Sequence, residues 1–174
     1  MISMNTRFIT RTAILLALAV VFQIMGRFLL PFMGPNSNFV VGPLVNACLL
    51  VSAAAAGIWS GTAVAVISPF TAVLTGAAIP LPFVPFIAIG NFLLVLMFHL
   101  LRRNRIAGIL TGAVLKFGLL YAVIVVFLGI FQVKPKVAGV LLFSFSWPQL
   151  VTALVGGLVA MLVLKALGKS VEQE

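Results

Sequence analysis

Apolar stretches long enough to cross a lipid bilayer follow one another along almost the whole chain, and that repetition constrains the fold more than any motif does. A spanning helix needs about 20 mostly apolar residues at a rise of about 1.5 Å each. Cut at its charged, Pro-rich and Gly-rich punctuation, the sequence predicts six spans: Phe8 to Leu30, Val40 to Trp59, Gly61 to Ile79, Pro82 to Leu101, Ile106 to Phe131 and Leu141 to Leu167. Only Gly57, Ser60 and Gly61 mark the second boundary, and a tight turn is expected there because Pro43 and Pro69 bracket two lengths that each suffice. With 63% hydrophobic and 7% charged residues, a soluble domain would lack the polar surface to cover its core. The expected fold is all-α: a single polytopic domain over residues 1–174, a bundle of six transmembrane helices.

Orientation follows from where Lys and Arg fall in the short loops. Arg7 and Arg11 open the first span, Arg102, Arg103 and Arg105 separate the fourth from the fifth, and Lys165 and Lys169 close the sixth. Only Lys134 and Lys136 fall on the other side, so both termini are expected in the cytoplasm. The net charge of +9 reads as a set of topology determinants beside anionic lipid headgroups. Nucleic acid is not expected as a partner, since basic and aromatic residues do not interleave on a polar surface. Arg7 and Arg11 before an apolar run resemble a signal peptide, but the run continues past Ala17-Leu18-Ala19 to Leu30, and a retained helix is expected.

Catalytic chemistry is poorly supplied. The only acids are Glu172 and Glu174 in the tail, the only histidine is His99 near a helix end, and the lone Cys48 sits in an apolar stretch as a small hydrophobe. Metal catalysis, carboxylate proton relays and a Ser/His/Asp triad are therefore excluded, and no enzyme is expected. There is no Gly-rich phosphate loop ending in Lys and Ser or Thr. A transporter built from this chain has to draw its energy from a partner.

What remains is a small set of polar side chains inside apolar helices, where each needs a physical reason. Lys116 lies about 15 Å into the fifth span, near the bilayer middle, with no acid to neutralise it. Either it meets an anion or carbonyl group of a ligand, or it makes a structural hydrogen bond to a neighbouring helix. Gly108, Gly112 and Lys116 stand four apart, so small residues precede the lysine on one face and admit a second helix. Asn46 and Asn91 are buried amides open to the same two readings. In the sixth span Ser146, Gln149, Ala153, Gly156 and Ala160 form a polar and small stripe. Tyr121 and Trp147 suit either an interfacial aromatic belt or stacking on a ligand. The uncharged segment from Pro31 to Val40, which carries Asn38, is either a lid or a connecting turn.

The chain resembles the substrate-binding S components of energy-coupling factor (ECF) transporters, the prokaryotic vitamin uptake systems. The resemblance covers nearly the whole chain and rests on its size, its six spans and Thr10-Arg11-Thr12-Ala13-Ile14-Leu15-Leu16-Ala17 at the start of the first helix. With it go Gly42-Pro43-Leu44-Val45-Asn46, Gly90-Asn91, Lys116-Phe117 and Phe145-Ser146-Trp147-Pro148-Gln149, which look like a vitamin-type branch. The acids of cation-binding members and the histidine-bearing N-terminus of nickel and cobalt members are absent.

The resemblance implies that Ala13 and Ala17 pack against the coupling helices of a membrane partner. It implies a vitamin-like ligand in the outer half, among the fourth to sixth spans under the first loop, near Asn38, Asn46, Asn91, Lys116, Tyr121, Trp147 and Gln149. It further implies a prokaryotic inner membrane, a membrane coupling protein and two ATPase subunits that use the ATP, with no cofactor in this chain. Pantothenate, niacin, folate and a thiamine-precursor pyrimidine all stay open. Two alternatives stand beside this reading: a non-transporting membrane scaffold, and a self-sufficient homo-oligomeric facilitator associating through Gly108 and Gly112.

Overall fold

A computed structural model describes residues 6–77, 79–131 and 133–168; Lys169, Glu172 and Glu174 lie outside them. Among the described residues seven helices follow in order: α1 (Thr6–Met33), α2 (Asn38–Ala56), α3 (Ile58–Leu74), α4 (Val84–Leu100), α5 (Arg105–Ile130), α6 (Pro135–Ser144) and α7 (Trp147–Leu167). Single 3₁₀ turns, Gly34–Ser37 and Leu81–Phe83, precede α2 and α4. Among the described residues five stretches are long and apolar enough to cross a membrane, with α6 and α7 counted as one, and α3 is a shorter apolar helix. The chain is an all-α polytopic membrane protein.

Three expected boundaries move, each for a local reason. The expected span from Leu141 to Leu167 is two helices, because Pro148 has no N–H to continue the ladder and its ring crowds the carbonyl four residues back. That carbonyl, of Ser144, accepts instead from Gln149 Nε2 at 2.9 Å, and Ser146 Oγ donates to Phe143 O at 3.0 Å. The turn between the second and third spans falls at Gly57 alone, with φ 88°; α2 therefore stops at Ala56 and α3 starts at Ile58, before Trp59. At the far end α3 stops at Leu74 rather than Ile79, and Gly76 turns the chain with φ 91°. The segment from Pro31 to Val40 is mostly helical: α1 runs to Met33, and one 3₁₀ turn links it to α2.

Inside and outside follow membrane rules. Large apolar side chains such as Ile14, Phe28, Leu74, Ile130 and Leu162 cover the exterior, where lipid rather than water is the favourable neighbour. Leu49, Leu50, Val64, Leu94, Val95, Ala113, Ala153 and Ala160 fill the interior. In α2, 61% of the spanning window is buried, against 6% in α1, so α2 is the central helix and α1 a peripheral one. Polar contacts with α2 and the α3 segment hold α1 in place. Arg11 Nη1 donates to Ala55 O, and Thr12 Oγ1 lies 2.6 Å from Ser60 Oγ. Further along, Gln23 Nε2 donates to Ser68 O at 2.8 Å and Arg27 Nη1 to Thr75 O at 3.5 Å.

Close helix approach depends on glycines. A methyl on Gly108 would meet Met97 O and Phe98 Cα at 2.9 Å, and one on Gly112 would meet Leu94 Cα at 3.0 Å. The expected small-residue face of α5 is thus occupied by α4 within the same chain. The stripe on α7 serves α2: a methyl on Gly156 would stand 2.6 Å from Asn46 Cβ and 2.7 Å from Pro43 O.

Candidate functional site

Lys116 lies about 17 Å along α5 and is 3% exposed. Its stem passes Gly90 of α4, where a methyl would come within 3.2 Å of Lys116 Cγ, so the glycine makes room for the lysine. Its Nζ donates to Asn46 Oδ1 of α2 and to Asn91 Oδ1 of α4, each at 2.7 Å. Asn91 in turn donates through Nδ2 to Ala65 O at 3.3 Å and Ser68 Oγ at 3.4 Å on α3. Gln23 of α1 completes the chain of contacts, donating to Ser68 O and accepting from Thr71 Oγ1 at 2.9 Å. One lysine thereby links five helices. No acid stands among the described residues, so amide oxygens carry the whole task of solvating its Nζ.

The hub borders a cavity of about 150 Å³ in the half of the bundle away from the start of α1 and the end of α7. Of the sequence-derived candidates, Asn38, Asn46, Asn91, Lys116 and Gln149 line it together. They come from α2, α4, α5 and α7, up to 111 positions apart in sequence and adjacent only through the fold. Asn46 is 3% exposed and its Oδ1 serves Lys116. Its Nδ2 has no acceptor among the described residues, yet no side-chain nitrogen or oxygen there is both fully buried and unpartnered. The free amide of Asn46 therefore opens onto the cavity.

Tyr121 and Trp147 do not line this cavity. Tyr121 follows Lys116 by five residues, about 140° round the helix; it is 44% exposed and stacks on Phe117 at 5.7 Å. Trp147 is half-exposed and packs with Phe39 and Phe143. Three further lining residues, Gln23, Ser68 and Thr152, are absent from the sequence-derived candidates. Gln23 carries the same signal as Asn46 and Asn91, an amide within an apolar span. Ser68 and Thr152 carry none, since helical hydroxyls routinely bond their own backbone.

A larger groove of about 360 Å³ lies between α4 and α5, walled by Phe83, Phe86, Phe127 and Phe131. Among its lining residues no side chain donates or accepts a hydrogen bond, and Val126, Ile130 and Phe131 open it to the lipid side. It supplies apolar contact and nothing that would orient a polar molecule. The smaller cavity is the candidate site. Ala13 and Ala17 lie far from it, both exposed on the opposite half of α1.

An all-helical membrane bundle enclosing a polar cavity, with no grouping of three His, Cys, Asp or Glu among the described residues, has the form of a membrane-embedded small-molecule binding protein. The family model described as "ECF transporter, substrate-specific component" matches residues 7–168, and the chain belongs to that family. Searches of curated proteins and of solved structures return no match. Membership makes the chain a transport component, in a family that is not an enzyme family.

Proposed function

We propose that the chain captures a vitamin or related micronutrient from outside the cell and releases it inside when a membrane coupling protein and two ATPases drive the cycle. The observation that carries the reading is the cavity around Lys116, whose polar side chains come from six helices, α1 to α5 and α7, although each polar group there is unfavourable in lipid. The Lys and Arg distribution supports an orientation with both termini inside and the cavity in the outer half, and the membrane of this reading is a prokaryotic inner membrane. Ala13 and Ala17 are exposed on α1 near the cytoplasmic end, which suits contact with a coupling helix. The facilitator reading loses its interface, because Gly108 and Gly112 are covered by α4.

Affinity purification of the tagged chain from its native membrane, followed by proteomics, tests the proposal. Two ATPases and one membrane coupling protein in stoichiometric yield are expected. A folded chain that brings down none of them, and that mediates uptake alone in vesicles, would overturn the dependence on partners.

A further inference from the structure

The deep end of the cavity is unbalanced in its hydrogen-bonding groups. An ammonium donates three hydrogen bonds; two of those of Lys116 go to Asn46 and Asn91. Asn46 Nδ2 has no acceptor among the described residues. Ser68 Oγ accepts from Asn91 Nδ2, and its own hydroxyl hydrogen has no acceptor there. Acceptor capacity elsewhere in the lining remains at Gln149 Oε1, Thr152 Oγ1 and the amide of Asn38: Gln149 Nε2 is already committed to Ser144 O, Thr152 Oγ1 donates to Gln149 O at 3.2 Å, and Asn38 is exposed at the start of α2. The deep end thus presents donors from three helices, and the only acids of the chain are the two glutamates of its tail.

We propose that the cavity selects a small molecule bearing a carboxylate, seated with its oxygens against Lys116 Nζ, Asn46 Nδ2 and Ser68 Oγ. The inference rests on the reading of this cavity as the ligand site and adds the chemical class of the ligand. A carboxylate offers about four lone-pair sites and no donor, matching what the wall lacks, and its charge complements a lysine that no protein acid neutralises. A phosphoryl group, with three oxygens and close to two negative charges, would ask for more than the single cation here. The volume of about 150 Å³ equals the liquid share of about five waters, which suits a single ring or a short chain. Gln149 and Asn38 then meet the polar groups at the other end of the molecule.

The test begins with the full chain purified in mild detergent from cells grown in rich medium. Its bound small molecule is extracted, identified by mass spectrometry and titrated back onto stripped protein beside its primary amide. A carboxylate-bearing molecule is expected, with the amide binding about 100-fold more weakly or worse. Asn46→Asp is the companion variant. It keeps an oxygen for Lys116, so folding is retained, but puts a negative charge where the free amide donated; an affinity loss of about 100-fold is expected.

An extracted molecule with no carboxylate, a phosphate ester included, would overturn the class while leaving the binding reading intact. So would an amide analogue that binds within about threefold of the parent, or an Asn46→Asp chain that binds more tightly. A chain that yields no bound molecule would overturn the binding reading, and the carboxylate assignment with it.

Discussion

Replacing Lys116 with methionine separates its role in the fold from its role toward a ligand. The substitution removes two hydrogen bonds of 2.7 Å between helices. Interhelical hydrogen bonds in membranes are worth about 0.6 kcal/mol on average and about 1.7 at most, so the loss is about 1–3 kcal/mol. Against it stands the cost of a lysine at the centre of a span, about 2.5–3.5 kcal/mol on insertion scales, which methionine does not carry. The two nearly cancel. Methionine also fills most of the stem volume beside Gly90, and the freed oxygens of Asn46 and Asn91 face a cavity that water can enter. The variant is expected to fold with a stability change within about 2 kcal/mol, a Tm shift of no more than about 8 °C. Binding behaves differently, because losing a charge-assisted partner in a closed site costs about 2–5 kcal/mol, 30-fold or more in Kd. Thermal unfolding in detergent and calorimetric titration on one preparation read both quantities. Unchanged affinity would refute the assignment of Lys116 to the ligand, and collapse of the fold would make it structural.

Three further outcomes are expected. Gly156→Ala drives a methyl into Asn46 Cβ and Pro43 O; a destabilisation of about 1–3 kcal/mol with weaker ligand binding is expected, measured by the same two assays. Tyr121→Ala and Trp147→Ala remove aromatic rings that lie outside the cavity; calorimetry should return an affinity within about threefold of wild type, and a larger loss would return these rings to the site. Ala13→Trp with Ala17→Trp places bulk on an exposed face of α1 away from the cavity; ligand binding should be unchanged, while co-purification of the coupling protein and ATP-driven uptake are lost.

What the sequence made legible divides along physical lines. The six long apolar runs were plain, because hydropathy acts along the chain and each run is read without its neighbours, but α6, which starts at Pro135, was not expected as a helix of its own. Helix ends were less plain. Pro148 splits the last span through steric conflict with the carbonyl of Ser144, a rule readable in sequence but weaker than the apolar run around it. Lys116, Asn46 and Asn91 were identifiable one by one, since a polar group in an apolar span always needs a partner. Their pairing was not, because Asn46 precedes Lys116 by 70 positions and only the spatial order of α2, α4 and α5 brings them together. Tyr121 and Trp147 show the converse: an aromatic ring suits a lipid interface and a ligand equally well, and composition does not say which way it faces. Gln23 lies on a helix whose surface is mostly lipid-facing, and its inward aim comes from contacts with Ser68 and Thr71.

The most direct test of the account is an experimental structure of the full chain with its co-purified molecule bound. The molecule is expected in the cavity bordered by Asn46, Asn91 and Gln149, with a carboxylate oxygen at about 2.8 Å from Lys116 Nζ. A molecule lodged instead in the phenylalanine-walled groove between α4 and α5, with Lys116 still held only by its two asparagines, would contradict it.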